Sequence, residues 1–309
     1  MTSDNETMGR GNKPTLKIIP FWGCMMPLKY PQMELAIRKT MPNLGVELVD
    51  IDGFTCCPDP IYFKARDKIK WLTIAARNLA VAEESGLDIV TMCSGCISTL
   101  RETQYTLEED PALKAEVNKR LKRVNKEYKG KVKVSHAVVL IRDELGLDVV
   151  EKSVKRPLED IKVAIHYGCH ILKPSQIMHV DDADYPSILD DFVTAIGAIP
   201  VEHKEKLLCC GKGCMDEDLP LDMTESIFAS IEASGADCMG LICPTCFSSF
   251  DLGQIMISRK RGKTYNIPVI YLFQLLGLAQ GMEPEEVGLH THRIKADKII
   301  EKIKDKVKT

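Results

Sequence analysis

The sequence predicts an α/β protein of two similar domains, each a mainly parallel sheet with flanking helices, its cysteines gathered at the C-terminal strand edges. Three observations carry this. Short apolar runs alternate with segments whose apolar residues recur at intervals of three and four, in the order strand–helix–strand–helix–strand, twice over. Ten of the twelve cysteines form two sets of five in the same order, C-x31-CC-x35-CxxC from Cys24 to Cys96 and C-x39-CC-x32-CxxC from Cys169 to Cys246. Cys24, Cys93, Cys169 and Cys243 each end a predicted strand.

In the first half, Leu16 to Gly23 is an apolar strand delivering Cys24. Tyr30-Pro31 opens a helix carrying Leu35, Ile37 and Met41, which stops at Pro42 and Gly45. Val46 to Ile51 is a second strand, and the Asp52-Gly53 turn leads to Cys56-Cys57. A helix over Lys68 to Glu84 places Ile69, Leu72, Ala76, Leu79 and Ala80 on one face, and Gly86 ends it before the strand that delivers Cys93. Asp110-Pro111 is a helix start, an N-cap followed by proline at the first helical position. The positive charges from Lys114 to Lys133 form a solvated face. Val132 to Ser135 and a helix through Leu145 close the domain.

The polar stretch Glu151 to Asp160 marks the boundary, so the expected organisation is an arm over 1–15, domains over 16–150 and 161–281, and a basic tail over 282–309. The arm is expected to be disordered. In the second domain, Ile161 to Tyr167 delivers Cys169, and His166-Tyr-Gly-Cys169 matches Phe21-Trp-Gly-Cys24. A longer loop, Lys173 to Tyr185, precedes a helix over Pro186 to Ile196 and the strand Ile199 to Glu202. A helix over Asp222 to Ser234 leads to the strand that delivers Cys243. Pro268 to Tyr271 and a helix to Leu278 mirror the end of the first domain. Ile294, Ile299, Ile300, Ile303 and Val307 give the tail a narrow apolar stripe, suited to lying on its own domain.

Composition narrows the function. The 309 residues are 45% apolar and 28% charged with net charge −3, which argues against a polyanion-binding surface and against nucleic acid as a partner. No run is long and apolar enough for a bilayer, and Met1 to Pro14 lacks a signal-peptide core, so a cytoplasmic protein away from membranes is expected. Disulfide frameworks belong to small secreted chains, and adjacent cysteines such as Cys56-Cys57 bond to each other only under strain.

Thiols at this density suit zinc or iron–sulfur chemistry. A structural zinc ion takes four ligands, whereas each set offers five and has only one CxxC knuckle. Ligand number and softness favour iron–sulfur. The C-x2-C-x2-C-x3-C-P run of ordinary ferredoxin clusters is missing from both sets, so ordinary cubanes are not expected. A zinc-stabilised interaction protein stays as the competing reading.

The repeated C…CC…CxxC arrangement, spread from Leu16 to about Gly281, resembles the paired CCG domains of the B-type subunit of heterodisulfide reductase from methanogenic archaea. The resemblance implies two noncubane [4Fe-4S] clusters at the C-terminal strand edges, one on Cys24, Cys56, Cys57, Cys93 and Cys96, the other on Cys169, Cys209, Cys210, Cys243 and Cys246. It implies reduction of the mixed disulfide of coenzyme M and coenzyme B in methanogenesis. It also implies partners: the C-type cubane iron–sulfur subunit, the A-type flavin subunit, and a hydrogenase or formate dehydrogenase module. A related alternative is an electron-transfer subunit of a lactate-, glycolate-, glycerol-phosphate- or succinate-type oxidoreductase. This chain shows no G-x-G-x-x-G after a strand, so flavin and nicotinamide are expected on partners. One departure is Cys56-Cys57-Pro58 where the second set reads Cys209-Cys210-Gly211; proline removes a backbone donor near the first cluster.

For the remaining residues, His166 and His170 flank Cys169 as candidate proton donors, against a packing role. Lys29, Arg101, Lys173 and Lys212 are candidate cations for an anionic disulfide, against plain surface roles. Two clusters can share one disulfide only if the C-terminal sheet edges of both halves face each other, so the substrate is expected at the domain interface, between Cys24 and Cys169, with Lys29 and Lys173 at similar positions near its two ends. Cys238, inside an apolar strand, reads as a buried small hydrophobe against a ligand role, and Cys214, four residues after Cys210, as a candidate spare ligand or a thiol supporting the ligands.

Overall fold

The computed structural model describes residues 16–216 and 218–307, so the expected arm over 1–15 lies outside the described residues. Two four-stranded sheets, every pairing parallel, form the frame. The first has the order β2-β1-β3-β4, from β1 (Leu16–Phe21), β2 (Val46–Leu48), β3 (Ile89–Thr91) and β4 (Val134–His136). The second repeats it as β6-β5-β7-β8, from β5 (Lys162–Ile165), β6 (Ile199–Val201), β7 (Cys238–Leu241) and β8 (Val269–Tyr271).

The central strands β1, β3, β5 and β7 are covered by helices on both faces, which is why they read as unbroken apolar runs. In each sheet the chain leaves the two central strands in opposite directions. This is the switch point where a crevice opens beyond the C-terminal strand ends. Phe21 pairs with Thr91, so Cys24 and Cys93 leave the sheet side by side, and the β5–β7 pairing does the same for Cys169 and Cys243.

The expected elements appear with shifted ends. The helices Pro31–Thr40, Lys68–Ser85, Pro111–Leu121 and Leu219–Ser234 match their periodicities, and the Asp110 carboxylate accepts from Leu113 N–H as its N-cap role requires. Three details differ. A short helix, Met25–Lys29, follows Cys24 directly, and another, Ser175–Met178, interrupts the expected Lys173–Tyr185 loop. The helix through Leu145 widens into a π turn over Ile141–Leu145, and Leu147–Ser153 is helical into the polar stretch expected as the boundary.

The halves pack against each other instead of hanging from a linker. The strands β4 and β8 are buried although each closes one end of its sheet. The helix Pro31–Thr40 lies on Leu272–Ala279, and Gln280 reaches across to Asn43 at 2.8 Å. The tail lies on the second half: Ile299 and Ile303 are buried, Arg293 pairs with the fully buried Asp251, and Lys302 bonds Asp237 and the Asp160 carbonyl.

Candidate metal centre

Each cysteine arrives by a local rule. Trp22-Gly23-Cys24 and Tyr167-Gly168-Cys169 turn sharply off β1 and β5, with both glycines in the left-handed region at φ 68° and 74°. A Cβ on Gly23 would sit 2.9 Å from Cys96 Sγ, and one on Gly168 would sit 3.4 Å from Cys246 Sγ, so glycine leaves a space that any side chain would fill. Cys93 and Cys243 are extended N-cap residues of the helices Ser94–Glu109 and Pro244–Arg261. Each CxxC therefore straddles a helix N-terminus, where N–H groups and the helix dipole favour a thiolate.

The ten thiols form two lines of neighbours in matching order. In the first half contact runs Cys24–Cys56–Cys57–Cys96–Cys93, with Cys96 and Cys57 sulfurs 3.3 Å apart. In the second it runs Cys169–Cys209–Cys210–Cys246–Cys243, with Cys169 and Cys209 at 4.0 Å. The lines meet at the seam, where Cys93 and Cys243 sulfurs are 3.8 Å apart. Crowding divides the protons unevenly. Hydrogen bonds with Cys56 and Cys96 bring the Cys57 thiol down to about 5. Contact with Cys246 and Cys93 lowers Cys243, while Cys93 and Cys96 are pushed up by the thiolates beside them. Five thiols in one line offer more donors than a single zinc ion takes and suit an iron–sulfur centre.

The surroundings fit such a centre. Buried polar atoms without a protein partner gather beside the thiols: Ser94 Oγ, His170 Nε2 and both nitrogens of His166. Among the described residues, no group of three or more His, Cys, Asp or Glu side chains is arranged to hold a single metal ion. The remaining cysteines stand apart in role. Cys238 is fully buried in β7 and its thiol is pushed up by desolvation, while Cys214 sits in a turn closed by its own N–H on the Gly211 carbonyl.

A cleft opens over the second line of thiols and draws its walls from both halves. Asp59, Pro60, Ile61, Ser94 and Gly95 face Cys169, His170, Cys210, Lys212 and Thr245. His170 Nδ1 lies 3.2 Å from Ser98 Oγ across the seam. The Asp59 carboxylate is occupied by the N–H groups of Ile61, Tyr62 and Phe63, which leaves Lys212 as the cation of this cleft.

Of the other sequence candidates, Lys29 and Lys173 are exposed and outside the cleft walls, and Cys169 lines it whereas Cys24 does not. The two lysines are also not equivalent. The fourth residue after each first cysteine donates its N–H to that cysteine's carbonyl, and these residues are Leu28 and Lys173. Arg101 turns away from the cleft, its guanidinium held by the carbonyls of Val134 and Met178. His166 lies beneath the thiols, not in the cleft; it is 1% exposed, and burial brings its imidazole down to about 4.

Sequence reading missed the two residues that close the seam. Tyr271, last residue of β8, donates to the Met92 carbonyl at 2.6 Å, one residue before Cys93. His136, last residue of β4, faces Ile242, one residue before Cys243. Aligning the ends of the two repeats brings out this reciprocal pair.

Comparison with known proteins agrees with the geometry. The cysteine-rich domain family CCG matches residues 18–101 and 163–251, the span of each thiol line. The chain is 39% identical to the B-type subunit of the ferredoxin/F420H2-dependent CoB-CoM heterodisulfide reductase of Methanosarcina acetivorans, covering 93% of this chain and 97% of the relative. It is 31% identical to the 8-methylmenaquinol:fumarate reductase membrane anchor subunit of Wolinella succinogenes, over 90% and 97% respectively. A crystal structure of a hypothetical protein from Helicobacter pylori shares the fold at a TM-score of 0.73 and 19% identity, covering 92% of this chain and 53% of that one. Among the described residues, no helix is long and apolar enough to cross a membrane.

Proposed function

We propose that this chain, which belongs to the family of B-type heterodisulfide reductase subunits with paired CCG cysteine-rich domains, is the disulfide-reducing subunit of a multi-subunit oxidoreductase. The observation that carries the reading is the meeting of two five-thiol lines at one seam beside one cleft. Cys24, Cys56, Cys57, Cys93 and Cys96 would hold one noncubane [4Fe-4S] cluster, and Cys169, Cys209, Cys210, Cys243 and Cys246 the other. When bound, the two clusters supply one electron each, from redox subunits of the complex, and iron sites that accept sulfur.

The substrate is the mixed disulfide of coenzyme M and coenzyme B. Its S–S bond takes two electrons and two protons and leaves two thiols. The chain's own residues do the rest. His170, fixed by Ser98, stands in the cleft as proton donor to a departing thiolate. Lys212 offers the cation for a substrate anion. The seam holds both halves against one bound molecule, so neither sulfur need leave as a radical.

Anaerobically purified protein should contain iron and acid-labile sulfide for two clusters, and should reduce the mixed disulfide with an artificial reductant. Zinc without sulfide would overturn the metal assignment. The 31% identity to the fumarate reductase subunit supports a second reading, an electron-transfer subunit of another oxidoreductase. Two full iron–sulfur centres with no disulfide turnover would favour that one.

A further inference from the structure

The repeat lets each residue beside one thiol line be compared with its counterpart beside the other, and two positions differ in the same sense. Counting back three residues from the first cysteine of each set gives Phe21 and His166. Phe21 is 1% exposed and packs edge-on against Phe54, with ring centroids 4.9 Å apart, so it offers no donor. His166 is equally buried and packs edge-on against Phe250 at 4.6 Å, but neither ring nitrogen has a partner among the described residues.

This differs from ordinary core histidines. His203, nearby, satisfies both nitrogens, through the Ile165 carbonyl at 2.9 Å and Ser230 Oγ at 3.1 Å. His166 lies within electrostatic reach of Cys209 and Cys243, the thiols at both sides of the second line. A neutral imidazole always carries one N–H, and leaving it unbonded in a dry interior is costly. The second position follows the paired cysteines. Gly211 N–H donates to Cys209 Sγ at 3.4 Å, whereas its counterpart Pro58 has no N–H to give.

Hydrogen bonds to cluster or cysteine sulfur stabilise the more negative, reduced state and raise the reduction potential. We propose that His166 and Gly211 make the two centres unequal, the second-half centre being reduced ahead of the first. His166 is thus a positioning and tuning residue, not a proton donor to substrate. The inference rests on the reading that both thiol lines hold iron–sulfur clusters.

The test is a potentiometric titration of the iron-loaded full chain, followed by electron paramagnetic resonance, with iron and sulfide measured on the same samples. Wild type should show two midpoints. His166→Phe, which copies the first half, should lower one of them by at least a tenfold change in its reduction equilibrium, about 59 mV for a one-electron couple, and leave the other in place. His166→Gln keeps an N–H donor and should restore much of the shift. Phe21→His should raise the other midpoint, and it tests the idea independently if His166→Phe fails to fold. Equal midpoints in wild type, or unmoved midpoints in both His166→Phe and Phe21→His at full iron content, would refute the asymmetry while leaving the cluster reading intact. Absence of iron and sulfide from wild type would instead sink the cluster reading, and this inference with it.

Discussion

The two halves share a sheet order, a thiol order and the glycine that lets the first cysteine approach the last. What surrounds the thiols is not shared. The residue after the first cysteine is Met25 in one half and His170 in the other, and the second residue after the cysteine pair is Asp59 in one and Lys212 in the other. On the proposed reading, the thiol skeleton is kept twice because each of two centres would need five donors. The histidine and lysine that could supply proton and charge stand in the second half alone, beside the one cleft that both halves line.

The largest effect should come from breaking one skeleton at a time. Cys93→Ala and Cys243→Ala are each expected to lose about one cluster's iron, keep the other, and abolish disulfide turnover. Iron analysis beside the activity assay reads both. Loss of all iron from either variant with the fold intact would show that the halves do not bind metal independently. Next comes the one-sided proton donor. His170→Gln should lower kcat by about 10²-fold at unchanged iron content, within the range general acids contribute, whereas Met25→Leu should leave it alone.

Charge in the cleft should matter less. Lys212→Met is expected to raise KM for the anionic disulfide about tenfold, the equivalent of losing one charge-assisted contact. Lys29→Met and Lys173→Met should have little effect, because both side chains sit outside the cleft. A KM increase in either and none in Lys212→Met would return the substrate to the neighbourhood of Cys24.

How much of this was legible beforehand depends on the range of the interaction. The sheets were, because β1, β3, β5 and β7 are buried on both faces and leave continuous apolar runs, and the grouping of the thiols into two lines was, because cysteine spacing survives in the chain order. The helix Met25–Lys29 was not: five residues give no periodicity. The inequivalence of Lys29 and Lys173 was legible and passed over: they stand five and four residues after their cysteines, and it is the fourth residue whose N–H bonds the cysteine carbonyl. Tyr271 and His136 escaped because their partners lie in the other half, 179 residues away for the Tyr271–Met92 bond. Arg101 looked like a substrate cation until its position under β4 fixed it to two carbonyls.

The smallest expected effect separates two supports that look alike. Two residues before each first cysteine stands an aromatic ring bonded to a carboxylate and covered by a cation. Trp22 Nε1 donates to Asp50 at 3.1 Å with Arg38 over the ring, and Tyr167 Oη donates to Asp190 at 2.7 Å with Lys206 over the ring. The first is open to water, its Asp50 side chain 54% exposed; the second is sunk, with Lys206 at 11% and Asp190 at 16%. Arg38→Met should therefore cost about 0.2–1 kcal/mol, as exposed pairs do. Lys206→Met leaves a half-buried carboxylate with only the tyrosine hydroxyl and should cost about 1–3 kcal/mol. The pH dependence bears on each support as well. The Arg38 guanidinium holds the Asp50 carboxyl below the usual carboxylate range, against desolvation and with help from Trp22, so that pair's contribution is complete at neutral pH. It is lost as pH falls through the lowered value, and the gap between Arg38→Met and wild type should close there. The Lys206 ammonium has a limit at the other end of the scale: desolvation would lower it, but Asp190 and Glu202 outweigh that and raise it, so its share fades as pH climbs through the raised value. Urea unfolding of both variants at acid, neutral and alkaline pH reads these differences, and equal costs at pH 7 would mean that burial does not distinguish the two supports.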